Sequence, residues 1–455
     1  MNSLVRFIEE HGGKEYSFMY SPRLLKGKCS TSNTSCVWFR DELIVNSRII
    51  EYIKLFQNKD VKALTSENNA QTYFYTTSGF DSRNVMCKYS NGNLYNVIES
   101  IYPDSSYWDC YYRGLEDGRL VVWNDKLYIY GTRWDRVENL GCICVYELND
   151  NMQPVNEIII KPQNSGGCEK NWGAIEDKPF TFMYMNNPNT IVQINEQGNC
   201  WLVKQNEKDE KISKPIKGST QVVRFDENTY VSMVHTNDWY EKDGYNYSDY
   251  LTAFVFYDND FNMIKMSDWF VFKSPMCEFT CGLAVHGDDV YITYSQLDCT
   301  SHLLITNKET INNFTDLHCD LKNTYSFIDY YVLAKQNEDN KQYNTAFALY
   351  NYAAMLFDNN PVFDEMKQEC LIKMFCGVVR QANTFRRKGY YPEIIECLNE
   401  YINQYPDCCE FYYLAAFMCK VMQNFDEMNR YKQLGDERKL NIHKYFFKYF
   451  NPNYL

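Results

Sequence analysis

The 455-residue chain has only six histidines, none in a paired spacing, so a histidine-rich metal centre is not expected. It lacks an excess of positive charge. Against 46 Lys and Arg stand 59 Asp and Glu, a formal net charge of −13, which makes the chain a poor clamp for a nucleic-acid backbone. No uncharged apolar run approaches the roughly 18 residues of a membrane span. The first residues, MNSLVRFIEEHGGKEYS, hold no apolar stretch of the kind a secretory signal needs. Walker, GxGxxG, HExxH and GxSxG patterns are missing too, which removes the commonest phosphate-loop and hydrolase motifs.

The 18 cysteines are scattered over a long chain. The doublet Cys408-Cys409 and the pairs Cys142/Cys144 and Cys277/Cys281 lack the repeated close pairs of a zinc site. They are predicted to be reduced, mostly buried thiols of a cytoplasmic protein, and the sequons at Asn33, Asn246 and Asn313 accordingly carry no glycan. What the chain does have is aromatic side chains: 39 Tyr, 28 Phe and 8 Trp, 16% of all residues. That content excludes a disordered chain. It suits both β-rich cores and surfaces on which sugars stack, and composition alone does not choose between them.

Between about residues 30 and 320 the chain reads as short strands separated by polar turns. Leu120 to Tyr130 is broken at Asn124-Asp125, Gln221 to Val234 at Asp226-Glu227-Asn228, and Leu283 to Tyr294 at Gly287-Asp288-Asp289. Many hairpins without helical intervals argue for a sandwich, a barrel or a propeller, and the length fits five blades of four strands. After Asn323 apolar residues recur at helical spacing. GYYPEIIECLNEYINQYP puts Ile394, Leu398 and Tyr401 on one face and ends at Pro406, and Tyr412, Ala415, Ala416 and Cys419 follow at the next repeat's packing positions. These offsets resemble a tetratricopeptide repeat. The Tyr-rich stretch from His443 to Tyr454 reads as a helix capping those repeats. The expected architecture is a mainly β five-bladed propeller over 30–320, preceded by a segment 1–29 and followed by a smaller all-α helical-repeat domain over 323–455.

Polar clusters mark the strand ends. In Gly114-Leu115-Glu116-Asp117-Gly118-Arg119-Leu120, strand alternation puts Asp117 and Arg119 on one face and turns Glu116 away. Such a carboxylate beside a guanidinium suits acid–base work on a sugar oxygen, or equally an ion pair holding a blade corner. Cys168-Glu169-Lys170-Asn171-Trp172 sets a cation and an amide beside a ring. Lys217-Gly218-Ser219-Thr220 precedes a hairpin ending at His235, with Tyr245, Tyr247 and Tyr250 beyond it. Glu278-Phe279 and Gly282 precede Tyr294-Ser295-Gln296-Leu297-Asp298. Alone, each cluster reads as a turn.

In order, however, GLEDGRL, EKNW, KGST, a strand-terminal histidine, CEFxxG and YSQxD resemble glycoside hydrolase family 130, the propeller β-mannoside phosphorylases and related β-mannosyltransferases. Ser32-Asn33-Thr34-Ser35 and Val45-Asn46-Ser47-Arg48 extend the likeness upstream, so that it covers roughly residues 30 to 305. The resemblance implies Asp117 as catalytic acid or base with Arg119 orienting it. It implies Arg48, Lys170, His235 and Tyr250 around a phosphate or donor, and Asn171, Trp172, Glu278 and Asp298 around sugar, with no cofactor and no metal. Two departures stand out: Gly118 occupies the place of the family's proline, and Lys217 that of an arginine, a less bidentate phosphate partner.

The leading expectation is a glycosyltransferase moving a sugar such as mannose from a sugar nucleotide or sugar phosphate to a glycan acceptor, its helical repeats serving as a platform for a protein partner. Two alternatives accompany it. One is a glycoside phosphorylase or hydrolase acting on β-mannosides; an inverting hydrolase needs a second carboxylate roughly 6.5–9.5 Å from the first, for which Glu278 and Asp298 are the candidates. The other is a catalytically silent glycan-binding scaffold.

Overall fold

A computed structural model describes residues 3–18, 20, 30–50, 52–56, 71–75, 82–102, 114–135, 140–160, 168–212, 214–242, 245–273, 277–296, 298, 300–318, 327–356, 361–385 and 391–438. The side chains of Tyr245 and Tyr247 and the stretch from His443 to Tyr454 lie outside the described residues.

Five antiparallel sheets follow one another along the chain, the arrangement of a five-bladed propeller. The first blade is Ser30–Phe39, Glu42–Ile50, Ser82–Ser90 and Asn93–Ser100, and the second Glu116–Trp123, Lys126–Asp135, Leu140–Leu148 and Pro154–Ile160. The third is Gly173–Ala174, Thr181–Asn186, Asn189–Ile194 and Cys200–Gln205. In the fourth, Lys217–Gly218 and Val223–Arg224 share one long partner, Tyr230–Lys242, beyond which lie Tyr245–Tyr257 and Met263–Met266. The fifth is Glu278–His286, Asp289–Gln296 and His302–Asn307, completed by Lys14–Ser17 in the register Lys14↔Ile305 to Ser17↔His302.

This closure matters, because an unpaired edge on the last blade would be free to pair elsewhere. It also gives Leu4–Glu10 and Lys14–Ser17 to the propeller, whereas the sequence boundary at residue 30 sets them apart. Leu4, Val5, Phe7 and Ile8 join Phe254, Phe270, Phe272, Ile311 and Phe314 in one buried cluster.

The hairpins form where the sequence places their turns. Asn124 and Asp125, at φ of 50° and 58°, supply the left-handed conformations that a two-residue hairpin turn requires. Alternate side chains then pack between blades. Trp123, Tyr130, Trp172 and Phe182 fill the space between the second and third, and the Trp123 indole donates to the Ile175 carbonyl at 2.8 Å. Near the axis the packing turns polar. Ser35 Oγ donates to the Gly118 carbonyl, Thr293 Oγ1 to that of Thr34, and Gln221 Nε2 to that of Cys36, tying four blades together.

The second compact unit takes in residues 20–30, 51–78 and 326–455. Its helices run Phe327–Asp339, Tyr343–Leu356, Pro361–Phe385, Tyr391–Gln404, Cys409–Val421 and Phe425–Glu437, and the hairpin Tyr52–Phe56/Gln71–Tyr75 belongs with them. The predicted apolar face is buried: Ile394, Leu398 and Tyr401 on one helix, Tyr412, Ala415, Ala416 and Cys419 on the next. Among the described residues no helix is long and apolar enough to cross a membrane.

Candidate active site

The site begins with a fault in a ladder. Glu116 pairs with Thr132 and Arg119 with Tyr130, so Asp117 and Gly118 together face the single residue Gly131. This is a β-bulge, and Asp117 accordingly takes a left-handed φ of 52°. A Cβ on Gly131 would lie 2.6 Å from the Glu116 carbonyl oxygen, so the bulge closes only over a glycine. The Gly118 carbonyl, accepting from Ser35 Oγ and from Asn46 Nδ2 at 2.8 Å each, pins the bulge in place.

The bulge overturns the alternation expected from the sequence. Glu116 does not turn away: its Oε1 lies 3.9 Å from Arg48 Nη1, the group that also meets Asp117 Oδ1 at 3.1 Å. Arg119 meets the backbone carbonyl of Asp117 at 2.9 Å, so the guanidinium paired with the Asp117 carboxylate belongs to Arg48. Arg48 is aimed by Ser82, whose Oγ accepts from Nε at 2.8 Å. Asp117 Oδ1 takes a second donor, Asn33 Nδ2, at 2.6 Å, and Asn33 is in turn held by Ser295 Oγ at 2.7 Å.

Arg119 reaches across the axis instead. Its Nε donates to the Ser219 carbonyl at 2.5 Å and its Nη2 to Asn171 Oδ1 at 3.3 Å, which ties the second blade to the third and fourth. Ser219 Oγ lies 2.8 Å from His235 Nδ1, and Tyr250 stacks parallel to the imidazole with centroids 5.9 Å apart. Burial, reinforced by Lys217, Arg119 and Lys170, pulls the His235 pKa down to about 3, so the ring is neutral near pH 7. Lys217 donates to Asn237 at 2.8 Å, and burial and the charge of Lys170 lower its pKa.

At the two carboxylates the balance runs the other way. Burial pushes the Glu116 pKa up; Arg48 opposes that, Asp117 adds to it, and Lys170 and Asp298 act more weakly from outside the strand. Four polar residues around this end of the propeller share a left-handed backbone: Asn33 at 47°, Asp117 at 52°, Asn171 at 64° and Asp298 at 54°. They come from or adjoin four different strands, and such conformations cluster where side chains must be aimed rather than packed.

Asp117, Arg119, Arg48, Asn171, His235 and Tyr250 are thus joined through direct contacts, and Lys170 and Asp298 through their charges. Two expected sugar contacts are engaged elsewhere. Glu278 accepts from the Phe272 and Lys273 backbone amides at 2.7 and 2.9 Å and from Gln296 Nε2 at 2.8 Å, which makes it the brace of a chain turn. Trp172 is 4% exposed, its ring packed edge-on to Phe182 and Tyr184 and its indole donating to Glu169 Oε2 at 3.0 Å. Glu116, Ser82 and Ser219 are the residues sequence reasoning assigned no part. Glu116 was hidden by the bulge and Ser82 by the lack of any motif around it, while Ser219 stood inside a motif valued only for its lysine. Chemically, the arrangement sets two carboxylates around one arginine beside a cluster of three cations and a neutral imidazole.

No family model and no curated protein sequence matches the chain. Among solved structures it is similar to a β-1,2-mannobiose phosphorylase from Listeria innocua in complex with β-1,2-mannobiose, at 11% identity over 67% of this chain and 100% of that one, TM-score 0.41. A mannose phosphorylase from Leishmania mexicana in complex with phosphate aligns at 9% identity over 70% and 96%, TM-score 0.40. A glycosyl hydrolase from Bacteroides ovatus aligns at 11% identity over 68% and 91%, TM-score 0.43. At these scores none of them assigns a residue or a substrate to this chain.

Proposed function

We propose that the chain is a carbohydrate-active enzyme that cleaves β-mannosides, by phosphorolysis in the first instance and by hydrolysis in the second. The observation carrying this reading is the gathering of Lys170, Lys217 and Arg119 around His235, next to the Glu116–Asp117 corner. Three cations and a neutral donor suit one phosphate, and carboxylates within the same cluster suit the proton traffic of breaking a glycosidic bond. In a chain of net charge −13 such a concentration of positive charge needs a local reason.

The transferase reading drawn from the sequence gives way to this one. It rested on the helical appendage as a platform for a partner or acceptor, whereas the cation cluster beside the two carboxylates suits phosphorolysis without it. For the helical unit we keep the reading of a tetratricopeptide-like surface for a protein partner, which its succession of packed helices supports. The eleven buried free thiols among the described cysteines suit a reducing compartment, so the cytoplasm is the proposed location.

The test is incubation of the purified chain with β-mannosides with and without inorganic phosphate. Mannose 1-phosphate released only when phosphate is added supports phosphorolysis, and free mannose released without it supports hydrolysis. Transfer from a nucleotide sugar in the absence of either reaction sinks the proposal.

A further inference from the structure

We infer that the outer strand of the third blade, Cys200–Gln205, carries a second glycan-binding surface, built on Trp201, which holds an uncharged mannan chain away from the site that cleaves it. The class of ligand rests on the β-mannoside reading above, and the surface itself on the strand.

Cys200–Gln205 lies at the end of its sheet, paired with Asn189–Ile194. Three consecutive apolar side chains on it stand in solvent: Trp201 at 43% exposure, Leu202 at 57% and Val203 at 54%. One exposed apolar residue needs no explanation, but an uninterrupted run of three on a strand does. Trp201 is also the one exposed tryptophan among the described residues. Among those residues its ring has no aromatic or cationic partner and its indole N–H no acceptor. Trp123 and Trp172, by contrast, are buried with their indoles hydrogen-bonded.

Strand register fixes the direction of the indole. Trp201 pairs with Gln193, and Gln193 shares its side of the sheet with Ile191, which packs with Val255 and Tyr257 of the fourth blade. Trp201 therefore stands on the side turned towards the fourth blade, with Gln193 beside it and Asn199 two residues before it on the same face. The side-chain amides of Gln193 and Asn199 make no hydrogen bond among the described residues. Each offers donors and an acceptor, and a sugar hydroxyl answers either. Charge is withdrawn from the patch. Lys204 gives its ammonium to the Asp260 carbonyl at 2.6 Å and to Asn262 Oδ1 at 2.8 Å, while Glu196 lies towards Lys126. A solvated ring flanked by amides suits the C–H face and hydroxyls of an uncharged sugar.

A second copy of the chain is the poorer occupant. Val192 pairs with Leu202 and Ile191 with Lys204, so Val203 between them is bulged. The bulge bends the strand and blunts it as a template for another strand. Three apolar side chains also fall well short of the roughly 20–30 residues a side of a stable protein interface. The surface is separate from the site already described. Asn171 precedes Gly173–Ala174, the strand at the opposite edge of this sheet, and three strand spacings of about 4.8 Å part that strand from Cys200–Gln205.

The experiment is native electrophoresis of the full chain through gels with and without a soluble, uncharged β-linked mannan, using the wild type, Trp201→Ala, Trp201→Phe and Gln193→Ala. Mannan is expected to retard the wild type. Trp201→Ala should weaken that binding roughly tenfold or more, and Trp201→Phe, which keeps a smaller ring, by less. Gln193→Ala should weaken it as well. Cleavage of a β-mannobiose should proceed at the wild-type rate in all three variants, because the strand stands apart from the site. Tm should stay within about 2 °C, as for other exposed positions. Equal retardation of Trp201→Ala and the wild type, or a wild type that mannan does not retard, overturns the inference and leaves the functional reading standing. A wild type that is dimeric by light scattering, becomes monomeric in Trp201→Ala and ignores mannan overturns it in favour of contact between copies. A wild type that cleaves no β-mannoside but is retarded through Trp201 supports the surface and overturns the functional reading alone.

Discussion

Replacing Glu15 by alanine is expected to loosen the closure of the propeller by about 3 kcal/mol. Glu15 sits on the closing strand, where its carboxylate meets Lys273 Nζ at 2.7 Å, His302 Nδ1 at 3.1 Å and the Tyr294 hydroxyl. The side chains of Glu15 and Lys273 are 12% and 10% exposed, so the ammonium left behind has little water to turn to. Removing one partner of a buried pair costs about 3–5 kcal/mol, and the residual exposure argues for the lower end. At roughly 2–4 °C per kcal/mol in a domain of this size, Tm falls by about 6–12 °C in a thermal melt. His302 shapes the pH dependence. Burial pushes its pKa down, so near pH 7 it is neutral and donates a hydrogen bond to Glu15. Burial alone would raise the Glu15 pKa, but Lys273 and His302 outweigh it and hold the carboxyl well below its usual range. A depressed carboxyl contributes its stability above the unfolded pKa of about 4 and loses it as the pH falls below that value. The difference in Tm between wild type and Glu15→Ala should therefore be full at pH 7 and shrink below about pH 4. The double variant Glu15→Ala/Lys273→Met removes both charges and should recover most of the loss. A single variant that melts within about 2 °C of the wild type, or a double variant no better than the single, refutes the reasoning.

Three further outcomes follow from the site and its supports. His235 is expected to show no imidazole titration between pH 5 and 8 by NMR, because its folded pKa lies at about 3; a midpoint near 6.5 contradicts the burial and the three facing cations. Its stability contribution is then complete above about pH 6.5 and lost as the pH falls towards 3, the sign for a depressed base. Lys217→Met should raise the KM for phosphate by roughly 10- to 100-fold with a smaller change in kcat, one charge-assisted contact being worth about 1.5–3 kcal/mol; an unchanged KM removes Lys217 from the anion cluster. Gly118→Ala brings a methyl to 2.9 Å from Ile129 Cδ1 and 3.1 Å from Asn84 Nδ2, so a loss of about 1–3 kcal/mol is expected in denaturant unfolding.

The propeller was legible because its signals are local. Asn124-Asp125, Asp226 to Asn228 and Gly287-Asp288 each announce a turn by residue type, and each falls between the strands it was expected to separate. The helical spacing of Ile394, Leu398 and Tyr401 is local in the same way. The closing strand was illegible, since nothing in Lys14-Glu15-Tyr16-Ser17 says that its partner begins at His302. The site was legible at the level of clusters and obscure in its pairings. Alternation joined Asp117 to Arg119, and one bulged residue was enough to give Asp117 to Arg48 and bring Glu116 into play. Trp172 and Glu278 show the complementary limit, for a ring or a carboxylate within a motif serves a core or a chain turn equally well.

The hairpin Tyr52–Phe56/Gln71–Tyr75 has a consequence for how this gene can be cut. The chain leaves the first blade after Ile50, contributes that hairpin to the helical unit, and returns at Ser82 for the blade's third strand. The helix Tyr343–Leu356, far downstream, packs on Tyr52–Phe56. A stop codon after the fifth blade would therefore leave a hairpin stripped of its partner helix, and expression of the C-terminal residues alone would yield helices lacking their strand. Separating the two units cleanly takes three excisions, of residues 20–30, 51–78 and 326–455, and two new joins within the propeller. The helical unit is thus an insertion completed at a distance, and recombination at a single breakpoint can neither add it to a propeller nor take it away.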